Sequence, residues 1–151
     1  MEYHKYRVKS SIKSFRDLEV YQKTIQLSNE ITNLQFLKAK EFEKDNEEIK
    51  TTAEKIPKLI AESYGDRFDS HELAHKKITY VISLTTNMIT KIDLLREKFS
   101  EDKESKEMLD KLLIKYQTQK RKILNLRGAW VRISKMYSGK NGAKEISGRK
   151  S

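Results

Sequence analysis

The stretch KIPKLIAESYGDRF, residues 55–68, decides how many helices the chain has. Pro57 is the only proline in the sequence. Proline lacks an amide hydrogen and its ring clashes with the preceding turn, so it ends, kinks or opens a helix. Ile56, Ile60 and Tyr64 continue an apolar spacing of three, four and seven that begins at Phe42, Ile49 and Ala53. That continuity predicts one helix running from about Glu41 to Tyr64, kinked at Pro57. A carbonyl near Ala53 then lacks its usual amide partner and is open to small polar residues of the following helix. The competing reading is a stop at Lys55–Ile56 and a new helix starting on Pro57. Gly65 and Asp66 read as the helix stop, and Glu62 and Arg67 are expected to pair near that end.

Working outward, three further helical patterns flank this one. Upstream, SFRDLEVYQKTIQLSNEITNL opens with Ser14 and Asp17 at capping-box spacing. Leu18, Tyr21 and Ile25 form one apolar row, and Val20, Leu27, Ile31 and Leu34 an adjacent one. Glu41, Glu43, Asp45, Glu47 and Glu48 gather at the start of the second helix, where the helix dipole favours negative charge. Downstream, Asp69 and Ser70 are N-cap candidates for a third helix, with Glu72 at the matching position. Leu73, Tyr80, Leu84, Met88, Leu95 and Phe99 are expected on one face of it, joined by Ile78, Val81 and Ile92. Its middle holds Ser83, Thr85, Thr86, Asn87 and Thr90 near the seam. After the polar break at residues 100–105, a fourth helix is expected from about Lys106 to Tyr137. Its apolar arc is Leu109, Leu112, Tyr116, Ile123, Leu126, Trp130, Ile133 and Tyr137, and Gly139 is its expected stop.

These patterns predict an all-α, antiparallel up-down-up-down four-helix bundle over residues 14–137. Residues 1–13 read as a basic flexible N-terminal arm, and residues 138–151 as a basic flexible C-terminal tail. A length of 151 residues suits one domain. Hydrophobic residues make up 36% and charged residues another 36%, a lean core with broad solvated faces. Such a protomer also fits one that completes its burial by assembling with copies of itself. There are no cysteines, which excludes disulfides and thiolate metal sites. MEYHKYRVKS has no apolar h-region, and no run approaches the roughly 18 apolar residues of a membrane span. The expectation is a cytoplasmic protein with no membrane partner.

A search for chemistry finds no catalytic constellation. There is no Gly-rich phosphate loop and no GxSxG. Glu47 and Glu48 are adjacent and diverge around a helix, while Glu107 and Asp110 read as surface charge. HELAH, residues 71–75, satisfies the bare H-E-x-x-H pattern of a zinc protease. That chemistry needs a third ligand and a cleft. No histidine follows His75, so His71, Glu72 and His75 read as solvated first-turn residues. No enzyme activity, metal or cofactor is expected.

The net charge of +10 points to an anionic partner. On a helical wheel of about 100° per residue, Lys111, Lys115 and Lys122 share one flank of the fourth helix, and Arg121, Arg132 and Lys135 the far face. Lys120 and Arg127 lie one heptad apart at the edge of the apolar arc. Their stems either snorkel over the seam towards acidic neighbours or face a subunit or nucleic-acid surface. Lys140 extends the basic set into the tail. Trp130, the only tryptophan, reads as a core anchor or as a base-stacking platform.

Two blocks carry a family resemblance. Phe15, Arg16, Asp17, Leu18, Val20, Tyr21 and Lys23 resemble the opening motif of the bacterial four-helix-bundle family encoded in 23S rRNA intervening sequences. Ile56, Pro57, Lys58, Leu59, Ile60, Ala61, Glu62 and Ser63, then Arg67, are similar to its second block, with Leu59 in place of an asparagine and Ser63 in place of a glycine. Gly128, Ala129 and Trp130 resemble the last helix of a related branch, the accessory variability determinant (Avd) of diversity-generating retroelements. The resemblance covers most of residues 15–137. It implies a four-helix bundle assembling into a ring-like homopentamer, and for the second branch a positive surface that binds RNA or DNA beside a reverse transcriptase. It also makes Pro57, Glu62, Arg67 and Trp130 structural landmarks.

The expectation is therefore a non-enzymatic, oligomeric nucleic-acid-binding accessory protein. Its candidate contacts are Lys111, Lys115, Lys120, Arg121, Lys122, Arg127, Arg132, Lys135 and Lys140. The alternatives are a structural protein-interaction module with no nucleic-acid role and a metal-dependent hydrolase at HELAH.

Overall fold

The computed structural model describes the backbone of residues 14–150 and the side chains of residues 14–136 except Asp17. The predicted arm over residues 1–13, the side chain of Asp17 in the expected capping box, and the side chains of Tyr137 and Lys140 lie outside the described residues. Four α-helices follow in order: α1 (Glu19–Thr32), α2 (Glu43–Asp66), α3 (His71–Lys98) and α4 (Lys103–Lys150). Short 3-10 turns at Phe15–Asp17, Gln35–Lys38 and Lys40–Phe42 precede α1 and join it to α2. There is no strand among the described residues. Each helix packs on the next, and α1 also packs on α4, which closes a four-helix bundle. No helix is long and apolar enough, among the described residues, to cross a membrane.

Helix α2 runs without interruption through Pro57, which is itself buried. The reading of a stop and restart at Pro57 is therefore excluded. Burial explains why a proline is tolerated there: Ile49, Ala53, Ile56, Ile60 and Tyr64 all pack inward on the same face. Fully burying one such isoleucine contributes about 2 kcal/mol, against a proline cost of about 3 kcal/mol in a helix interior. The third-helix hydroxyls do not turn towards Ala53 as expected. Thr85, Thr86 and Thr90 each donate to the carbonyl four residues back on their own helix. A buried polar link between α2 and α3 comes instead from the Ser63 hydroxyl, which donates to the Ala74 carbonyl at 2.7 Å.

Helix ends differ from expectation in four places. At the start, Ser14 Oγ accepts from the Arg16 amide at 3.1 Å within a 3-10 turn, and α1 begins only at Glu19. The turn is held by Phe15, whose ring meets Tyr21 edge-on at 4.9 Å. Helix α2 passes through Gly65, and Arg67 continues the chain with helical torsions. No described glycine has positive φ, so Gly65 does not act as a left-handed cap. The stop expected at Gly139 is likewise absent: α4 continues to Lys150, so the segment expected as a tail continues this helix. A glycine with helical torsions weakens a helix by about 1 kcal/mol without ending it. The α3 cap is as expected, with Ser70 Oγ accepting from the Leu73 amide at 3.2 Å. Helix α4 starts one turn earlier than its apolar pattern suggests, because Asp102 accepts from both the amide and the hydroxyl of Ser105.

The core is continuous from Leu34 and Leu37 at one end to Ile123 towards the other. In α1 the row of Val20, Leu27 and Ile31 is buried with Thr24, while Ile25 is exposed. Most of the expected α3 face turns inward: Ile78, Val81, Leu84, Met88, Ile92 and Leu95 are buried, together with Ala74 and Thr85, whereas Leu73 and Tyr80 are exposed. Phe36 and Phe42 both stack on Phe99 at ring distances of 4.8 and 4.7 Å, sealing the end where α3 gives way to α4. Inside α4, Tyr116 is fully buried and its hydroxyl has no hydrogen-bond partner among the described residues; Gln119 Oε1 nearby is in the same position. Burial, with the Glu30 carboxylate as a lesser cause, pushes the Tyr116 phenol well above its ordinary value.

Candidate nucleic-acid interface

From Lys111 to Lys140 the sequence holds no Asp or Glu, while all the candidate contact residues fall within that run. A single helix therefore carries a long uncompensated positive strip, unless neighbouring helices supply carboxylates. The structure divides its cations into three groups.

The flank facing α1 is compensated. Lys115 Nζ lies 2.7 Å from Glu30 Oε1, and Lys122 Nζ donates to Glu19 Oε1. The Lys122 hydrogen bond holds the Glu19 carboxyl below its usual value. Lys111, on the same flank, makes no ion pair among the described residues and is exposed. On the far face Arg121 and Arg132 are exposed and make no ion pair among the described residues. Lys120 and Arg127 are half-buried at the edge of the core. Arg127 donates to Thr79 Oγ1 at 3.2 Å rather than to a carboxylate.

Where α4 leaves the core, an open groove of about 500 Å³ lies between it and the start of α3. Glu19, the first residue of α1, is level with Lys122, so α4 runs on past α1 with its inward face uncovered by α1. No described side chain of α4 beyond Ile123 is buried. Trp130 is half-buried against the core edge and lines the groove, as does Lys135. Opposite them stands the turn between α2 and α3. Arg67 NH1 donates to the Tyr64 carbonyl at 2.6 Å, and its guanidinium sits 3.4 Å from the Tyr64 ring centroid and 4.1 Å from that of Phe68. Phe68 is 67% exposed and projects at the groove.

Glu62 and Arg67 do not pair. Glu62 and Asp66 both reach Lys77, at 3.4 and 2.7 Å, and those hydrogen bonds, Asp66 first, raise the Lys77 pKa. The backbone carbonyl and the two rings hold Arg67 instead, which leaves it without a carboxylate. His71 and His75 are exposed on the groove wall, and Glu72 engages Lys76 at 3.6 Å. No group of three metal-ligating side chains occurs among the described residues.

Sequence reasoning missed Phe68 altogether, because it falls off the helical period in the turn after Asp66. The available signal was a large aromatic between Arg67 and Asp69, flanked by polar residues on both sides. The chain matches no protein-family model, no curated protein and no solved structure.

Proposed function

We propose that this chain is a non-enzymatic accessory protein that binds RNA or DNA along α4. The observation that carries this reading is the carboxylate-free run from Lys111 to Lys140, with Lys111, Arg121 and Arg132 exposed and without an ion pair among the described residues. Cations without intramolecular partners retain counterions, whose release drives binding to a phosphate backbone. The resemblance of the Phe15–Lys23 and Ile56–Ser63 blocks to the 23S rRNA intervening-sequence family supports the four-helix-bundle fold, and that branch carries the alternative of a protein-interaction module with no nucleic-acid role. The Gly128-Ala129-Trp130 resemblance to Avd favours a reverse transcriptase as the protein partner.

The bundle in this proposal is up-down-up-down. Cross-helix pairs support it: Asp45 with Lys98 and Asp66 with Lys77 between α2 and α3, and Glu19 with Lys122 and Glu30 with Lys115 between α1 and α4. The assembly we propose is a homo-oligomeric ring, a pentamer. Leu73, Tyr80 and Leu94 recur at heptad spacing on the outer face of α3 and are all exposed, a stripe suited to a copy of the chain. The same stripe favours a second reading, a protein-interaction module with no nucleic-acid role.

The test is an electrophoretic shift at low salt, repeated across salt concentrations. The expected result is binding that weakens steeply with salt and is reduced in Arg121→Glu/Arg132→Glu. No shift at low salt would leave the protein-interaction reading standing. The mass of the assembled particle tests the ring.

A further inference from the structure

The groove at the open end of the bundle combines features that backbone electrostatics alone does not call for. It is apolar in its floor, it has an aromatic on each side, and its rim is cationic. Phe68 is 67% exposed in a short turn, with only the Arg67 guanidinium over one face of its ring. Trp130 is half-buried, so its indole is fixed against the core while part of it faces the groove. Arg67, Arg127 and Lys135 line the same space, and none is matched by a carboxylate among the described residues. Glu72, the one carboxylate among the described groove-lining residues, lies 3.6 Å from Lys76.

A ligand complementary to this arrangement has a flat aromatic body with negative charge beside it. A nucleotide satisfies both needs, provided its base is not already stacked in a duplex. Continuity with the rest of α4 favours a polymer over an isolated small anion. Arg121 and Lys135 are about 21 Å apart along the helix at 1.5 Å per residue, so one extended polyanion can reach both. The volume of about 500 Å³ lies in the range of sites that enclose small organic groups.

We propose that the groove receives unpaired bases of a single-stranded nucleic acid, stacked on Trp130 and Phe68, with the adjoining phosphates on Arg67, Arg127 and Lys135. This rests on the nucleic-acid reading above and adds selectivity to it: the positive strip accepts either duplex or single strand, whereas the groove admits only bases free to leave a stack.

Trp130 is the only tryptophan, so its fluorescence reports on the groove alone. The experiment titrates the full chain with a short oligothymidylate, with a blunt duplex of equal charge and with an acidic aromatic peptide. Binding is followed in parallel by electrophoretic shift. The single strand is expected to quench the emission, the duplex to bind without quenching, and Phe68→Ala to weaken single-strand binding about tenfold or more while leaving duplex binding unchanged. Phe68 is exposed enough for that variant to fold, and circular dichroism checks it. Binding of both nucleic acids with no quenching and no effect of Phe68→Ala would overturn the groove assignment and leave the nucleic-acid reading intact. No shift with either nucleic acid would remove both. Quenching by the peptide at least as strong as by the oligonucleotide would assign the groove to a protein ligand and overturn the proposal.

Discussion

The Ser63 hydroxyl donates to the Ala74 carbonyl oxygen at 2.7 Å, and the pair ties the end of α2 to the first turns of α3 inside the core. Ala74 also packs close because its side chain is small. Ser63→Ala removes the donor while leaving the carbonyl within its helical ladder. The expected loss is about 1 kcal/mol, the usual net value of one such bond. Urea unfolding of wild type and variant measures it, and an unchanged midpoint would show that the bond contributes nothing net.

Gly65 lies inside α2 with ordinary torsions, and a Cβ built on it meets nothing within 4 Å. Gly65→Ala should therefore stabilise the protein by roughly 0.5–1 kcal/mol, through lower unfolded-state entropy and better helix propensity. A rise in Tm is the expected reading. A fall would mean that the turn into α3 requires a conformation that alanine resists.

Tyr116 presents the opposite situation, a buried hydroxyl with no partner among the described residues. Tyr116→Phe keeps the packed ring and removes the orphaned polar atom. Stability is expected to stay level or rise by about 1 kcal/mol. A clear loss in calorimetry would reveal a hydrogen bond to that hydroxyl.

Acid should weaken the start of α4. Hydrogen bonds from the Ser105 hydroxyl and amide hold the Asp102 carboxyl below its usual value of 3.8. A carboxyl whose pKa is depressed on folding stabilises the fold above its unfolded pKa, and that contribution is lost as pH falls through the folded value. The Tm advantage of wild type over Asp102→Asn should thus be full at pH 7 and shrink below about pH 4. A difference that stays constant down to pH 2.5 would locate the effect in shape rather than charge.

Glu19 and Lys122 offer a test of the α4 surface that adds no cation. Glu19→Gln releases Lys122 from its partner, which should tighten nucleic-acid binding and steepen the log–log salt slope by about one. Weaker binding by the variant would place the nucleic acid elsewhere.

The α2 stretch was legible because its pattern depends on helical period alone: Ile49, Ala53, Ile56, Ile60 and Tyr64 are all buried at the expected spacing. On α3 the pattern located Ile78, Val81, Leu84, Met88, Ile92 and Leu95, but a reading weighted by size favours Leu73 and Tyr80 over Ala74 and Thr85. Which face turns inward is set by how closely α2 and α4 approach, a long-range matter. The positive strip was visible from charge and spacing, but the pairing of Lys115 and Lys122 with α1 depends on tertiary register. The groove was hidden for the same reason. It lies where α4 runs on past α1, whose start is level with Lys122, and no local pattern fixes where one helix starts relative to another that is 103 residues away.

The end of the core at Ile123 gives the molecule two mechanical halves. Amides of α4 near Leu109 to Ile123 are expected to exchange only with opening of the bundle, whereas Trp130 beyond them is half-buried and, among the described residues, shares the groove with the α2–α3 turn and the start of α3. Protection against hydrogen exchange should therefore fall off in a step beyond Ile123. The end that carries Trp130 is expected to open locally without the isoleucine layers below it being disturbed.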